Sequence, residues 1–293
     1  MTRVHLVDAT YELFRAYFGA PKRAAPDGRE VGATRGILGS MLFLLQEEGA
    51  THVGCAADTV IESFRNDLYA GYKTSAGVDA DLMSQFLLAE EGLRALGLVV
   101  WGMVELEADD ALATAARRFA ADPSVEQVIV ATPDKDLAQV VSGTRVVLLD
   151  RRQKKTIDEA GVRAKWGVPP ASIPDWLALV GDTSDGYPGV PGWGEKSASA
   201  VLAVHGHIED IPDDPRSWKL TLRGAERLAA ALAAHRADAA LFKRLATLRT
   251  DAPLAEGLAD LAWKGARPEF RDFCARQGFG ELPERVRRWS PSP

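Results

Sequence analysis

Short apolar segments that each stop at an acidic residue are the feature that most constrains the fold of this 293-residue chain. Residues 4–7 are followed by Asp8, and residues 51–57 are followed by Asp58. A predicted helix over residues 35–48 lies between these two predicted strands. Strands that alternate with helices predict a parallel α/β sheet, and ligands of such sheets bind beyond the carboxyl ends of the strands. We therefore expect the acids to share one edge of a sheet.

Three later segments extend this pattern. Further strands are predicted at residues 97–101, 127–131 and 145–149, and each of them leads toward acidic residues. Seven acids from four connections would converge at the sheet edge: Asp8, Asp58, Glu107, Asp109, Asp110, Asp134 and Asp136. A single acid at a strand end is commonly the N-cap of the next helix, but seven acids are not well explained as caps. We interpret Asp150, which ends the last of these strands, as a structural residue and not as a ligand.

The densest acidic segment, residues 105–110, leads into a helix that is predicted to begin near Glu107. Acids in a first helical turn are ordinary, because the helix dipole favours negative charge there. Crowding Glu107, Asp109 and Asp110 into one turn adds mutual repulsion, which a bound cation would relieve. Mg²⁺ prefers oxygen ligands of this kind. Capping and metal binding both remain open for this segment on its own residues.

Composition excludes several other classes of protein. Hydrophobic residues make up 46% of the chain, which is enough for a sizeable core. The first residues lack an apolar signal region and no later run has the length of a membrane span, so we expect a cytoplasmic protein. Cys55 and Cys274 are expected to be buried thiols. The net charge is −6, and the basic runs 151–155 and 285–288 fit either a solvated face or a polyanion contact.

Beyond residue 158 the pattern becomes helical and a second group of motifs follows. Asp182 and Asp185, three positions apart, form a second possible metal site. Residues 189–194 read Gly-Val-Pro-Gly-Trp-Gly and precede a predicted helix over 197–204, as in a helix-hairpin-helix turn. Glycines let the backbone approach a phosphate, and a helix N-terminus presents free N–H groups to it. A frayed tail is expected at residues 290–293.

Taken together, these motifs resemble the bacterial 5′-nuclease family. That family includes the 5′–3′ exonuclease domain of DNA polymerase I, stand-alone 5′–3′ exonucleases and flap endonucleases. The segments that carry the resemblance are Leu6-Val7-Asp8, Ala57-Asp58, Glu107-Ala108-Asp109-Asp110, Thr132-Pro133-Asp134-Lys135-Asp136, Gly181-Asp182-Thr183-Ser184-Asp185 and Gly189 to Lys196. They recur in order over nearly the whole chain, so the resemblance is specific.

The resemblance implies an α/β fold, namely a PIN-like (5′-nuclease) domain with a mostly parallel central sheet. This domain would span residues 1–165 and carry a helical arch at about 64–95. Residues 166–293 would form a helical C-terminal region with the helix-hairpin-helix at about 176–206. No attached polymerase is expected.

The resemblance also implies roles for individual residues. Two Mg²⁺ ions, for which Mn²⁺ would substitute, are expected. The first would be held, directly or through water, by Asp8, Asp58, Glu107, Asp109, Asp110, Asp134 and Asp136, and Asp182 and Asp185 would complete the second site. Arg65 and Lys73 are expected to steer the scissile phosphate, and Tyr72 to stack on an unpaired base. Gly189, Gly192, Gly194 and Lys196 would contact duplex DNA, with K⁺ at the carbonyls of the turn. Glu105 falls outside the pattern and is interpreted as a solvated acid.

The activity implied is that of a hydrolase, a Mg²⁺-dependent 5′–3′ exonuclease and structure-specific 5′-flap endonuclease in replication and repair. Its partners would be DNA with 5′ ends or flaps and RNA primers, and it would act as a monomer away from membranes. One alternative is a catalytically weak DNA-junction binding protein of the same fold. Another is a small-molecule phosphohydrolase, but Asp8-Ala9-Thr10 lacks the Asp-x-Asp nucleophile motif.

Three departures from the family pattern bear on this prediction. Residues 74–79, which follow Lys73, contain no basic side chain, whereas many relatives carry arginine there. We therefore expect weaker binding of a 5′ strand. Pro133 precedes Asp134 where a small residue is usual. Gly186 replaces a common asparagine after Asp185. All nine expected metal-binding acids are nevertheless present, and activity is expected.

Overall fold

The computed structural model describes residues 2–291. Strands and helices alternate through the first half of the chain, and helices dominate the second half. The strands are β1 (Thr2–Asp8), β2 (His52–Asp58), β3 (Val99–Met103), β4 (Val125–Ala131), β5 (Val146–Asp150) and β6 (Lys155–Ile157). The helices are α1 (Ala9–Gly19), α2 (Gly32–Gln46), α3 (Phe64–Leu68), α4 (Ala80–Met83), α5 (Phe86–Ala95), α6 (Ala108–Ala120), α7 (Glu159–Trp166), α8 (Ile173–Val180), α9 (Glu195–His205), α10 (Ala225–Ala234), α11 (Arg236–Ala246), α12 (Glu269–Gln277) and α13 (Glu281–Glu284).

The chain divides into two compact units, each built from separate segments. Unit 1 comprises Met1–Ile61, Ser75–Thr132 and Thr250–Pro293, and unit 2 comprises Glu62–Thr74 and Pro133–Arg249.

Unit 1 is built on a parallel sheet with the strand order β3-β2-β1-β4. The two central strands are apolar and buried where they approach their carboxyl ends, at Leu6 and Val7 of β1 and at residues 53–57 of β2, as expected for strands that are covered on both faces. In β1, Leu6 pairs with Gly54 of β2 and with Val130 of β4. Helix α6 packs against β1 and β4 through a face of alanine and leucine that is completely buried. This packing holds the first turn of α6 at the sheet.

Residues from the end of the chain complete unit 1. The amide of Trp263 donates to the carbonyl of Thr51 (2.8 Å), and the amide of Val53 donates to the carbonyl of Leu261 (2.9 Å). Helix α12 packs against α5, and its Phe270 and Phe273 lie in the hydrophobic core of this unit. The C-terminal segment therefore supplies both backbone pairing and core side chains to unit 1.

Unit 2 is mainly helical. Strands β5 and β6 form an antiparallel pair in which Leu148 lies opposite Ile157. Helix α8 packs against α9 and α11. Tyr187 is buried, and its ring stacks on Phe242 of α11 with centroids 5.5 Å apart. The aromatic contact fixes the turn that follows α8 against α11.

The predicted strands are all present, with ends within two residues of the predicted ones, because short apolar runs bounded by polar residues define them locally. The expected α/β fold with a mostly parallel sheet and a C-terminal helical region is confirmed. Strand β6 was not predicted, and the segment predicted as a helical arch at about 64–95 contains the helices α3, α4 and α5. Cys55 and Cys274 are buried as expected, and burial raises the pKa of the Cys274 thiol to about 12.

The division into units differs from the predicted division after residue 165. Residues 250–291 pack in unit 1 rather than with the rest of the helical region, for the reasons given above. The predicted arch is divided as well, since α3 belongs to unit 2 and both α4 and α5 belong to unit 1. Residues 292 and 293 of the expected frayed tail lie outside the described residues. Within residues 2–291, no helix has the length and apolar character needed to cross a bilayer.

The C-terminal contribution to unit 1 leads to a stability prediction. Phe270→Ala removes a ring that is 0% exposed and should destabilise the protein by about 3–5 kcal/mol, as is usual for a large-to-small core change. Phe18, which is 78% exposed, provides the matched control, and Phe18→Ala should cost no more than about 0.5 kcal/mol. Urea denaturation followed by circular dichroism measures both. Equal midpoints for the two variants would contradict the assignment of α12 to the core.

Candidate active site

Asp8 and Asp58 lie at the carboxyl ends of adjacent parallel strands in unit 1. One carboxylate oxygen of Asp8 accepts the backbone N–H of Tyr11 (2.8 Å), and the other accepts the hydroxyl of Thr132 (3.0 Å). Asp58 accepts the backbone N–H of Ala108 (2.7 Å), and its own N–H donates to the hydroxyl of Thr10 (2.8 Å). These hydrogen bonds fix the directions of both carboxylates and join Asp58 to the start of α6.

The first turn of α6 carries three acids, as the sequence predicts. Glu107 is the N-cap, and its backbone N–H donates to the carboxylate of Asp110 (3.0 Å) in a capping box. Asp110 is completely buried, Glu107 is buried, and Asp109 is partly exposed. Glu105 is exposed, which agrees with its interpretation as a solvated acid. Five of the expected acids thus come from the β1, β2 and α6 ends of unit 1.

Unit 2 contains a second acidic cluster, the triad Asp136, Asp182 and Asp185. One carboxylate oxygen from each residue lies within 4.8 Å of the other two. All three residues are buried. Asp134 accepts the backbone N–H of Asp136 (2.9 Å), and Asp182 accepts the backbone N–H of Ser184 (2.9 Å), so local backbone groups hold the cluster in place. Asp136, which was predicted with the first metal site, is grouped here with the acids of the second.

The electrostatics of the triad favour a bound cation. Burial and the neighbouring carboxylates of Asp134 and Asp185 raise the pKa of Asp136 well above its ordinary value. The Oδ1 atom of Asp136 is buried and accepts no hydrogen bond in the described structure. Carboxylate oxygens at this separation, one of them without a hydrogen bond, fit the ligand set of a hard divalent cation. The triad is therefore suited to hold such an ion.

Two lysines lie against the triad. The Nζ atom of Lys73 is 3.0 Å from Asp185 Oδ1, and the Nζ atom of Lys135 is 2.5 Å from Asp182 Oδ2. Burial acts to lower the pKa of Lys135, but the carboxylates of Asp136 and Asp182 outweigh burial and raise this pKa above its ordinary value. Sequence analysis did not single out Lys135, although its position between Asp134 and Asp136 was a usable signal.

Arg65 and Tyr72 occupy supporting positions rather than open ones. Arg65 is 1% exposed, and its Nε donates to the carbonyl of Leu245 (2.8 Å), because the short helix α3 turns this side chain inward. Tyr72 is buried, with Lys73 Nζ 5.5 Å from its ring centroid. Asn66, which was also not predicted, donates to the carbonyl of Lys73 (2.9 Å). In this geometry Asn66 and Tyr72 contact Lys73, whereas Arg65 is held by the carbonyl of Leu245.

The helix-hairpin-helix turn joins α8 to α9, and its glycines have different surroundings. Gly189 is buried, and a Cβ atom at this position would lie 2.4 Å from the backbone nitrogen of Gly181. By contrast, Cβ atoms at Gly192 and Gly194 would meet nothing within 4 Å. Lys196 is exposed on the first turn of α9. Gly189 therefore packs the turn, whereas Gly192, Gly194 and Lys196 are accessible to a ligand.

A parallel α/β unit with acids at its strand ends and a helical unit with a buried acidic triad together define a PIN-like nuclease architecture. Family models agree with this class: the "5′-3′ exonuclease, N-terminal resolvase-like domain" matches residues 3–167, and the "5′-3′ exonuclease, C-terminal SAM fold" matches residues 168–269. The chain belongs to the 5′–3′ exonuclease family.

Curated relatives are consistent with this family. The chain is 35% identical over 258 residues to DNA polymerase I of Pseudomonas aeruginosa, a match that covers 85% of this chain and 27% of the polymerase. It is 31% identical over 248 residues to the 5′-3′ exonuclease of Buchnera aphidicola, covering 84% of this chain and 81% of that protein. The chain thus spans about a quarter of the polymerase and most of the exonuclease.

Solved structures show the same fold at low sequence identity. The zinc-bound 5′-exonuclease of T5 superposes with a TM-score of 0.67 at 18% identity, over 94% of this chain and 99% of the other. The catalytic core of Rad2 in complex with DNA superposes with a TM-score of 0.58 at 17% identity, over 96% and 90% of the two chains.

The turn that carries Asp182 and Asp185 depends on Gly186. Its φ is +87°, and a Cβ atom there would lie 2.2 Å from the carbonyl oxygen of Gly71. Gly77 has the same φ, but a Cβ atom at that position would meet nothing within 4 Å, so it is a matched control. Gly77→Ala should cost about 1–2 kcal/mol from backbone conformation alone.

Gly186→Ala should cost clearly more than Gly77→Ala, because the steric overlap with Gly71 adds to the same backbone strain. Urea denaturation of the two variants compares these costs directly. If both alanines reduced stability equally, the close approach of Gly71 to Gly186 would be refuted.

Proposed function

We propose that the protein is a Mg²⁺-dependent 5′–3′ exonuclease and structure-specific 5′-flap endonuclease that hydrolyses DNA phosphodiester bonds. The observation that carries the proposal is the buried triad Asp136, Asp182 and Asp185, flanked by Lys73 and Lys135, in a chain of the 5′–3′ exonuclease family. Known structures of the same fold support it. The T5 exonuclease has been solved with divalent metal ions, and the Rad2 core and human GEN1 have been solved with DNA.

The acids divide into two ligand groups in this proposal. Asp136, Asp182 and Asp185 would hold one Mg²⁺, for which Mn²⁺ substitutes. The other Mg²⁺ would be held by the acids of unit 1, directly or through water: Asp8, Asp58, Glu107, Asp109 and Asp110. Asp134 would support the triad by accepting the backbone N–H of Asp136. When bound, two such ions supply a hydroxide nucleophile at neutral pH and stabilise the leaving oxygen.

The protein's own groups would orient the substrate. Asp8 and Asp58 are fixed by hydrogen bonds to Tyr11, Thr132 and Ala108, so their carboxylates keep their directions during turnover. Lys73 is held at its backbone, because its N–H donates to the carbonyl of Asp185 (2.9 Å), and its ammonium would bind the scissile phosphate. Preorganised donors of this kind lower barriers without reorganisation at the moment of reaction.

The accessible part of the helix-hairpin-helix would hold the duplex. Backbone groups at Gly192 and Gly194 would approach the phosphates, with Lys196 beside them and K⁺ held by carbonyls of the turn. The substrates would be DNA with 5′ ends or flaps and RNA primers, bound by a monomer in the cytoplasm, where such DNA arises during replication and repair. Tyr72 takes part in this proposal as a support of Lys73, and Arg65 contributes a buried positive charge in the same unit.

The second candidate function is a catalytically weak DNA-junction binding protein of the same fold. It is favoured by one observation, the absence of basic side chains from residues 74–79. Product analysis on a 5′-labelled double-flap substrate separates the two candidates. Mg²⁺-dependent release of a labelled 5′ product, abolished by EDTA, supports the nuclease, whereas full binding without cleavage supports the junction-binding protein.

The triad leads to a prediction about catalysis. Asp182→Asn should lower the cleavage rate by at least about 10²–10³-fold, because the buried cluster loses a charged ligand while the shape of the side chain is kept. Glu105→Gln is the control, since Glu105 is exposed and lies outside both ligand groups, and it should cleave at the rate of the unmodified protein. Single-turnover assays on the flap substrate, with circular dichroism to check folding, make the comparison. Near-normal cleavage by Asp182→Asn would refute the proposed triad.

Substitutions of Lys73 and Lys196 are expected to affect different quantities, the cleavage rate and the duplex affinity. Lys73→Met should lower the single-turnover rate by about 10²-fold with little change in duplex affinity, because its ammonium acts on the scissile phosphate. Lys196→Met should weaken duplex binding and leave the rate at saturating DNA nearly unchanged. Fluorescence anisotropy with Ca²⁺ in place of Mg²⁺ gives the affinities. Parallel losses of rate and affinity in Lys73→Met would show that Lys73 only anchors DNA.

A further inference from the structure

Lys135 contacts carboxylate oxygens of two of the three triad acids. Asp182 Oδ1 accepts the backbone N–H of Ser184, so Oδ2 is the oxygen of this carboxylate that lies away from that backbone donor. Lys135 Nζ lies 2.5 Å from this Oδ2 atom. It also lies 3.8 Å from Asp136 Oδ1, the buried oxygen that accepts no hydrogen bond in the described structure. The ammonium therefore faces the ligand atoms of two of the three acids.

Charge balance explains why a lysine is useful at this place. Three carboxylates within 4.8 Å of one another repel strongly when they are buried, and a positive charge relieves that repulsion. Lys73 pairs with Asp185 and Lys135 pairs with Asp182, so each lysine neutralises a different acid. A divalent cation that binds the triad would supply the same charge, and it would need the Asp182 oxygen that Lys135 contacts.

The two lysines differ in how they are held. The backbone N–H of Lys73 donates to the carbonyl of Asp185, and the side chain of Asn66 donates to the carbonyl of Lys73. The Lys135 side chain is 34% exposed, so its ammonium has access to solvent if it leaves Asp182. Because this ion pair is made by the side chain alone, the ammonium of Lys135 can leave Asp182 without any change in the backbone of the turn.

We propose, on the basis of the proposed function, that Lys135 is a built-in counter-ion of the triad. It competes with the divalent cation for Asp182 Oδ2 and so weakens cation binding at the triad. In the metal-free protein Lys135 stabilises the buried acids. When the cation binds, the ammonium gives up its contact with Asp182. The affinity of the triad for its cation is thereby set by a side chain that is not a ligand.

The test is Mn²⁺ binding to the full chain, followed through the electron paramagnetic resonance signal of free Mn²⁺. Lys135→Met should bind Mn²⁺ at the triad about tenfold more tightly than the unmodified protein, since a charged hydrogen bond no longer has to be broken. Lys135→Arg keeps a cation there and should bind Mn²⁺ with unchanged or weaker affinity. Lys155→Met is the matched control, because Lys155 is exposed in the same unit and has no carboxylate partner in the described structure; its affinity should not change.

A second measurement follows thermal stability in EDTA and with saturating Mn²⁺. Lys135→Met should melt at a lower temperature than the unmodified protein in EDTA, because the acids lose a counter-ion. It should gain more from Mn²⁺, because tighter binding stabilises the folded state more. If Lys135→Met does not fold, Lys135→Gln replaces it with the same expected results.

Equal or weaker Mn²⁺ affinity in the neutral variants would overturn the competition, since Lys135 would then be inert or would help to organise the ligands. Failure of the proposed function has a different signature. If Asp182→Asn in the otherwise unmodified chain removed no Mn²⁺ site, the triad would not be a metal site at all. A shift in Lys135→Met combined with loss of one site in Asp182→Asn supports both proposals.

Discussion

Repulsion between buried carboxylates is the constraint on which much of unit 2 depends. Asp136, Asp182 and Asp185 lie within 4.8 Å of one another, and an arrangement of this kind is stable only if backbone donors and positive charges offset the repulsion. The turn after α8 supplies the donors and the two lysines supply the charges. Because Gly186 has no Cβ atom, the carbonyl of Gly71, two residues before Lys73, can approach the turn that carries Asp182 and Asp185. The local architecture of this unit thus compensates for the repulsion between these three buried carboxylates.

The acids of unit 1 show that capping and ligand binding are compatible roles. From the sequence, an acid at a strand end is either a helix cap or a candidate ligand. In the structure, Asp8 and Asp58 accept backbone N–H groups at the starts of α1 and α6, and Asp110 completes a capping box. A carboxylate has two oxygens with several lone pairs, so a cap bond directs the side chain and leaves acceptor capacity for a cation. Capping is a means of preorganising these acids.

Local pattern accounts for the parts of the structure that could be predicted. Apolar runs bounded by acids define β1 to β5, and the alanine-rich stretch after Glu107 defines α6. What could not be predicted depends on contacts between segments that are far apart in the sequence. The buried Arg65 donates to the carbonyl of Leu245, 180 positions away, and the tight packing at Gly186 comes from the carbonyl of Gly71. Lys135 was visible in the sequence, but only the distances to Asp182 and Asp136 reveal its ion pairs.

The return of residues 250–291 to unit 1 has a consequence for how the protein can be divided in the laboratory. The chain passes between the units after residues 61, 74, 132 and 249, so neither unit is a single stretch of sequence. A fragment cut at the junction of the two family models would separate β2 from the amide and carbonyl of 261–263 and would uncover the pocket that Phe270 fills. Truncated fragments and limited-proteolysis maps should therefore be interpreted against two folding units whose segments alternate along the sequence, and cleavage near residue 167 would leave both products with an incomplete core.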